Sequence, residues 1–158
     1  MSRHVSIREG RESDADILCS FNMAMAEETE GRSLNERAVL AGVRSVLDDP
    51  HRGFYLVAES EGTIVGSLMV TTEWSDWRNG FYWWIQSVYV RPEWRRLGIY
   101  RSLHESVRSK AMAAANVCSL RLYVEEIIRR AQEVYCRLGL SETSYRIFEE
   151  MLSDGSPC

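Results

Sequence analysis

The sequence predicts an α/β fold, α+β in some schemes, built on a mixed central β-sheet of six to seven strands flanked by about four helices. Three observations carry that expectation. Strand-like and helix-like patterns alternate along nearly the whole chain. The aromatic and β-branched run over residues 81–90 is apolar on both faces, as a strand in the middle of a sheet must be. Directly behind it, apolar residues recur at helical spacing from Ile99, in a stretch long enough to cross over between two parallel strands. With 158 residues, 45% of them hydrophobic, the chain can bury a sizeable core, and a single domain over residues 1–158 is expected.

In chain order, Val5 and Ile7 alternate with polar neighbours and read as a short strand. Ser13 and Asp14 then stand where a helix cap belongs, before a helix that buries Ile17, Leu18, Phe21 and Met25 and runs into EETEGRS, read as an acidic loop. A second helix over about 35–47 offers Val39, Leu40, Val43 and Val46 as its apolar stripe and ends before Pro50. Residues 54–59 and 63–72 are rich in β-formers and flank Ser60-Glu61-Gly62, the pattern of an antiparallel hairpin. Residues 74–80 read as a polar loop, and Pro92 stops the central strand. The crossover helix carries Ile99, Leu103, Val107, Ala111 and Ala114 on one stripe. Leu120, Leu122 and Val124 then alternate as a strand, and Ala131, Val134, Tyr135 and Leu138 form a further helix that Gly139 ends. Residues 143–152 are expected to supply a last strand.

A formal net charge of -4 gives no general attraction for a polyanion, so no nucleic-acid partner is expected. No stretch approaches the roughly 20 apolar residues of a membrane span, and the opening MSRHVSIREG lacks the apolar run of a secretory signal. A cytoplasmic protein without a membrane partner is the expectation. Cys19, Cys118, Cys136 and Cys158 form no CxxC pair, which argues against disulfides and against a bound metal.

The stretch that carries chemistry is residues 88–103, VYVRPEWRRLGIYRSL. A buried strand ends there, an arginine-rich turn follows, and a helix starts at a glycine. The first helical turn presents outward-pointing N–H groups and the positive end of the helix dipole, and Gly98 lets a ligand come close to the backbone. Arg91, Arg95, Arg96 and Arg101 crowd the same place and suit a pyrophosphate or a ribose phosphate. The other phosphate fingerprints, GxGxxG and GxxxxGK[ST], are absent.

Arg95-Arg96-Leu97-Gly98-Ile99-Tyr100 resembles the acetyl-CoA motif [Q/R]xxGx[G/A] of GNAT superfamily N-acetyltransferases, with Tyr100 in place of the usual small residue. The stretch from Ile128 to Gly139 is similar to that superfamily's NxxAxxxYxxxG, with Ala131, Tyr135 and Gly139 in register and Ile128 in place of the asparagine. The resemblance implies the GNAT fold, acetyl-CoA as cofactor, and direct transfer of the acetyl group to a bound amine. It places the cofactor on Val88, Tyr89, Val90, Arg95, Arg96, Gly98, Ile99, Tyr100 and Arg101, with the backbone of residues 88–90 meeting the pantetheine amides and the thioester oxygen. It makes Tyr135 the proton donor to the departing thiolate, a role a tyrosine hydroxyl can fill because it is neutral at physiological pH.

No base is marked, since the Trp83-Trp84-Ile85-Gln86-Ser87 stretch holds no carboxylate, and deprotonation through water is expected. The candidate carboxylates are Glu73 and Asp76 in the loop before the strand and Glu27, Glu28 and Glu30 after the first helix, where the resemblance places the acceptor. Acids beside Trp74, Trp77, Trp83 and Trp84 suit a cationic amine, and Glu27, Glu30, Glu73 and Trp84 are singled out for holding it. A small-molecule amine is the expected substrate. A protein or peptide N-terminus is the alternative acceptor, and a CoA-binding module without transfer is the non-enzymatic one. The resemblance also implies a possible homodimer through the strand expected at residues 143–152.

Overall fold

The computed structural model describes residues 4–125 and 128–152. Its contacts divide the chain into two compact units, Met1–Tyr123 and Val124–Cys158. Cys158, counted among the cysteines above, lies outside the described residues.

The first unit is one sheet with helices on both faces. Strands β1 (Ser6–Glu9), β2 (Phe54–Ser60), β3 (Thr63–Ser75), β4 (Gly80–Val90) and β5 (Val117–Leu122) lie side by side in that order. The first four are antiparallel to their neighbours, while β5 runs parallel to β4. Helix α3 (Ile99–Ala113) makes the connection between those two, the length of crossover that parallel strands require.

Alternation along β2 shows how both faces are buried. Leu56 and Ala58 join Leu68, Val70, Ile85, Ile99, Leu103 and Val107 in the core under α3. Tyr55 and Val57 point the other way, into a core with α1 (Ala15–Glu30) and α2 (Glu36–Asp48) that also holds Leu18, Phe21, Val43 and Tyr89. The stripes read from the sequence for these helices, Ile17 to Met25 and Val39 to Val46, all pack there.

Several boundaries differ from the reading of the sequence. α1 continues to Glu30 and stops at Gly31, whose φ of 60° is the left-handed cap, so Glu27, Glu28 and Glu30 lie on its last turns and not in a loop. Asp14 does not cap α1 with its side chain; the carboxylate accepts from the Arg11 N–H at 2.9 Å and from Arg8 at 2.7 and 3.0 Å. β3 runs on to Ser75 because Trp74 pairs with Phe81 and packs edge-on against its ring at 4.9 Å, leaving only residues 76–79 as the turn.

The second unit holds helix α4 (Arg129–Arg137). It closes at Gly139, φ 92°, where the Leu140 N–H reaches back to the Tyr135 carbonyl at 3.1 Å. The strand expected at residues 143–152 is not there: the segment has no strand structure, and Tyr145, Ile147, Phe148, Met151 and Leu152 are exposed. Among the described residues the sheet therefore has five strands, not six to seven. The physical reason is visible in the pattern, since Ile147 and Phe148 fall on opposite sides of an extended chain and Glu149-Glu150 follows, so neither face is consistently apolar.

Candidate active site

β4 changes character halfway along. From Phe81 to Ile85 it is paired with β5, and that ladder ends at Ile85 opposite Leu122. From Gln86 to Val90 its recorded partner is β3 alone. The change coincides with a bulge in the β3–β4 ladder between Ser67 and Met69, and Ser87 there takes a left-handed φ of 51°. The Arg91 N–H donates to Val65 of β3 at 2.9 Å. Backbone groups alternate along a strand, so Tyr89 also faces β3, while Val90 and Val88 turn their N–H groups to the edge that β5 has left. That edge presents the N–H groups of Val88 and Val90 and the Val88 carbonyl, groups that an amide-bearing chain pairs with. Tyr89 contributes its ring instead, tilted by 37° against Phe21 of α1 with the centroids 4.8 Å apart.

At the end of this edge the chain makes a short 3₁₀ turn, Pro92–Trp94, and enters α3 through Arg95-Arg96-Leu97-Gly98. Arg96 and Gly98 both have left-handed φ values, 64° and 80°. At Gly98 a Cβ would meet nothing within 4 Å, so glycine is needed there for its backbone angle and not for space. The turn aims the first N–H groups of α3 outward, next to the edge of β4. Two arginines line it with no carboxylate partner among the described residues: Arg96 and Arg101, both exposed. Arg91 is used differently, since its Nε donates to the Ile64 carbonyl at 2.9 Å and its guanidinium lies 5.4 Å over the Phe21 ring. Ile99 is buried beneath the turn and anchors the helix start in the core.

Tyr100, where a small residue was expected, is turned along the helix flank. Its hydroxyl is 3.4 Å from Nδ1 of His104, one turn on, and its ring packs against the core under α3. Burial, with the nearby charge of Arg108, holds the His104 pKa below its ordinary value, so this imidazole is neutral at physiological pH.

Arg95 is not an isolated phosphate ligand. Its Nε donates to the Val90 carbonyl at 2.8 Å, its guanidinium lies 5.6 Å over the Tyr89 ring, and its Nη2 pairs with Glu28 at 2.6 Å. The Tyr89 hydroxyl also approaches Glu28, at 3.4 Å, and burial followed by that carboxylate's charge pushes the phenol pKa up. Glu28, from α1, thus touches both the open strand and the arginine turn. The sequence placed it among the loop acids without selecting it.

The other acceptor candidates separate into two places. Glu27 and Glu30 are exposed on α1, where Glu30 is 3.4 Å from Arg32. Glu73 and Trp84 share one face of the sheet with Tyr82, and Arg121 of β5 lies 3.6 Å over the Tyr82 ring, 5.7 Å from Trp84 and 3.3 Å from Glu73. Trp84 is also stacked on Tyr123 at 4.5 Å. Arg121 therefore already neutralises Glu73. The sequence reading passed over it, although Leu120 and Leu122 on the α3 side put Arg121 on the opposite face. Trp83 faces the α3 core, as neighbours on a strand must differ.

Tyr135 belongs to the second unit, on α4, where it is half-buried and burial pushes its hydroxyl pKa up. It therefore keeps its proton at neutral pH.

The first unit joins an open edge of extended backbone to a helix N-terminus flanked by two arginines that have no carboxylate partner among the described residues, which is the layout of an acyl-CoA-dependent transferase. Residues 18–140 match the acetyltransferase (GNAT) family, and the chain belongs to that family, whose acetyl donor is acetyl-CoA. No curated protein matches it. Among solved structures it is similar to a possible acetyltransferase from Clostridium difficile 630, at 38% identity and TM-score 0.89, covering 94% of this chain and 98% of that one. A predicted acetyltransferase from Clostridium acetobutylicum, solved with acetyl-CoA, aligns at 17% identity and TM-score 0.76, over 93% of this chain and 96% of that one. The aminoglycoside N-acetyltransferase AAC(6')-Iy, solved with CoA, aligns at 16% identity and TM-score 0.77, over 97% and 98% of the two chains. Among the described residues, no helix is long and apolar enough to cross a membrane.

Proposed function

We propose that the protein is an acetyl-CoA-dependent N-acetyltransferase acting on a primary amine of a small cationic molecule, by direct attack within a ternary complex. The observation that carries this is the edge of β4 beyond Ile85, which runs straight into the Gly98 turn and the N-terminus of α3. A pantetheine arm needs amide partners over a few residues and then a phosphate cradle, and these elements supply them in that order.

Val88 and Val90 hold the pantetheine arm through their backbone groups, and the first N–H groups of α3 with Arg95, Arg96 and Arg101 hold the pyrophosphate. Acetyl-CoA supplies the activated acetyl group. The amine attacks in its neutral form, so its ammonium proton leaves first, through water, because β4 offers Gln86 and no carboxylate near its change of pairing. A backbone N–H of the open edge takes the negative charge that develops on the thioester oxygen. Tyr135 delivers a proton to the departing thiolate, a role open to a hydroxyl that is neutral at physiological pH.

The test is thiol release from acetyl-CoA against a panel of polyamines, aminoglycosides, amino acids and peptides. Release with small cationic amines is expected; release only with peptides moves the acceptor class, and binding without release removes the transferase. Tyr135→Phe should lower kcat about ten- to hundredfold while acetyl-CoA affinity stays within about twofold. An unchanged kcat would take Tyr135 out of the reaction.

A further inference from the structure

Glu28 and a bound pyrophosphate require the same guanidinium. Arg95 stands three residues before Gly98 in the turn that leads to the α3 N-terminus, yet its Nη2 is committed to Glu28 at 2.6 Å. Both partners are well exposed, with 43% and 40% of their side-chain surfaces open. An ion pair so exposed is weakened by the water around it. A pyrophosphate, with one negative charge on each of its two phosphates, that meets the same fork while also receiving helix N–H bonds outweighs it.

We infer that Glu28 is the carboxylate that receives the acceptor's ammonium, and that Arg95 masks it until the cofactor's pyrophosphate takes Arg95 away. This rests on acetyl-CoA occupying the Gly98 turn. Position supports it. Glu28 comes from α1, on the face of the sheet opposite α3, and reaches Tyr89 in the stretch of β4 that β5 has left. A cation held by Glu28 therefore lies beside the reacting strand, on the face away from the crossover helix. Glu73, the other acid with a ring beside it, is already paired with Arg121 across the sheet, and Glu30 with Arg32. Glu28 is set apart because the group that neutralises it belongs to the cofactor's turn. The coupling orders the two substrates: without the cofactor the ammonium finds its carboxylate already paired with a cation, and with the cofactor it finds one that keeps only the Tyr89 hydroxyl. It also selects acceptors that are cationic when they bind.

Carboxylate labelling tests this in the wild-type protein. Glycinamide is coupled to carboxylates with a carbodiimide, with and without saturating CoA, and the labelled peptides are measured by mass spectrometry while calorimetry records CoA binding. Glu28 labelling should rise about threefold or more with CoA, against steady Glu27 and Glu30. CoA binding with Glu28 labelling unchanged or reduced overturns this inference and leaves the transferase reading standing. No CoA binding overturns both. In E28Q, CoA should bind as tightly as before or more tightly, while the KM for a cationic amine rises about tenfold with kcat within about threefold. Weaker CoA binding in E28Q would make Glu28 a brace for Arg95 and overturn the inference.

Discussion

The two halves of β4 are one strand put to two uses. Between Phe81 and Ile85 it is held by β3 on one side and β5 on the other, with Ile85 only 2% exposed in the core under α3. Between Gln86 and Val90 it keeps β3 and loses β5. Residue type separates the halves only in part: both carry β-branched and aromatic side chains, and the second opens on the polar pair Gln86-Ser87. What separates them is where β5 stops and a bulge at Ser87 that re-aims the chain. A sheet can therefore hold a strand rigidly by one half and offer the other half's backbone to a ligand.

Substitutions should split stability from binding along that line. Ile85→Ala, in the doubly paired half, should cost about 3 kcal/mol in a denaturant titration while CoA affinity of the folded protein stays within about twofold. A parallel loss of affinity would erase the distinction. Asp14→Asn lies far along the sheet, at the clamp that Arg8 forms between Asp14 and Glu59, and should cost about 2 kcal/mol with binding again untouched.

The same clamp sets a pH dependence. Burial alone would raise the Asp14 pKa, but the Arg8 and Arg11 hydrogen bonds and the Arg8 charge together bring it below the ordinary carboxylate value. A depressed native pKa gives stability that is fully present above the unfolded value, about 3.9, and that is lost as pH falls through the native value. Acid titration of unfolding should show that loss in the wild type and its absence in Asp14→Asn.

On the ligand side, Gly98→Val should weaken CoA binding about tenfold, because a β-branched residue resists the left-handed angle that aims the α3 N-terminus. Unchanged affinity would move the phosphate site elsewhere. The smallest effect is expected at the change point itself: Ser87→Gly relieves a positive φ and should raise stability by about 0.5 kcal/mol, with a loss of stability showing that the Ser87 side chain is what fixes the bulge.

Most of this layout was legible because it is local. The hairpin around Ser60-Glu61-Gly62, the doubly apolar β4 and the Ile99 to Ala111 stripe each announce themselves within a few residues of sequence. The RxxG turn did so too, through glycine and clustered charge. The strand expected at residues 143–152 did not form, since β-formers alone do not supply a consistent apolar face. The partnership of Glu28 with Tyr89 and Arg95 could not be read, because these residues stand 61 and 67 positions apart and meet only when α1 packs on the sheet. The contacts of Arg91 were hidden for a related reason: the Ile64 carbonyl and the Phe21 ring that hold it come from distant segments.

The crossover through α3 also fixes when the molecule becomes competent. β2, β3 and β4 follow one another through tight turns and can pair as soon as they exist, whereas β5 must wait for a whole helix to be made and docked. Until then all of β4 is an exposed strand edge, the kind that recruits other chains. On the ribosome, the interval between the emergence of Val90 and that of Leu122 is the period in which this chain most needs protection, and its end is the moment at which the cofactor edge is first bounded.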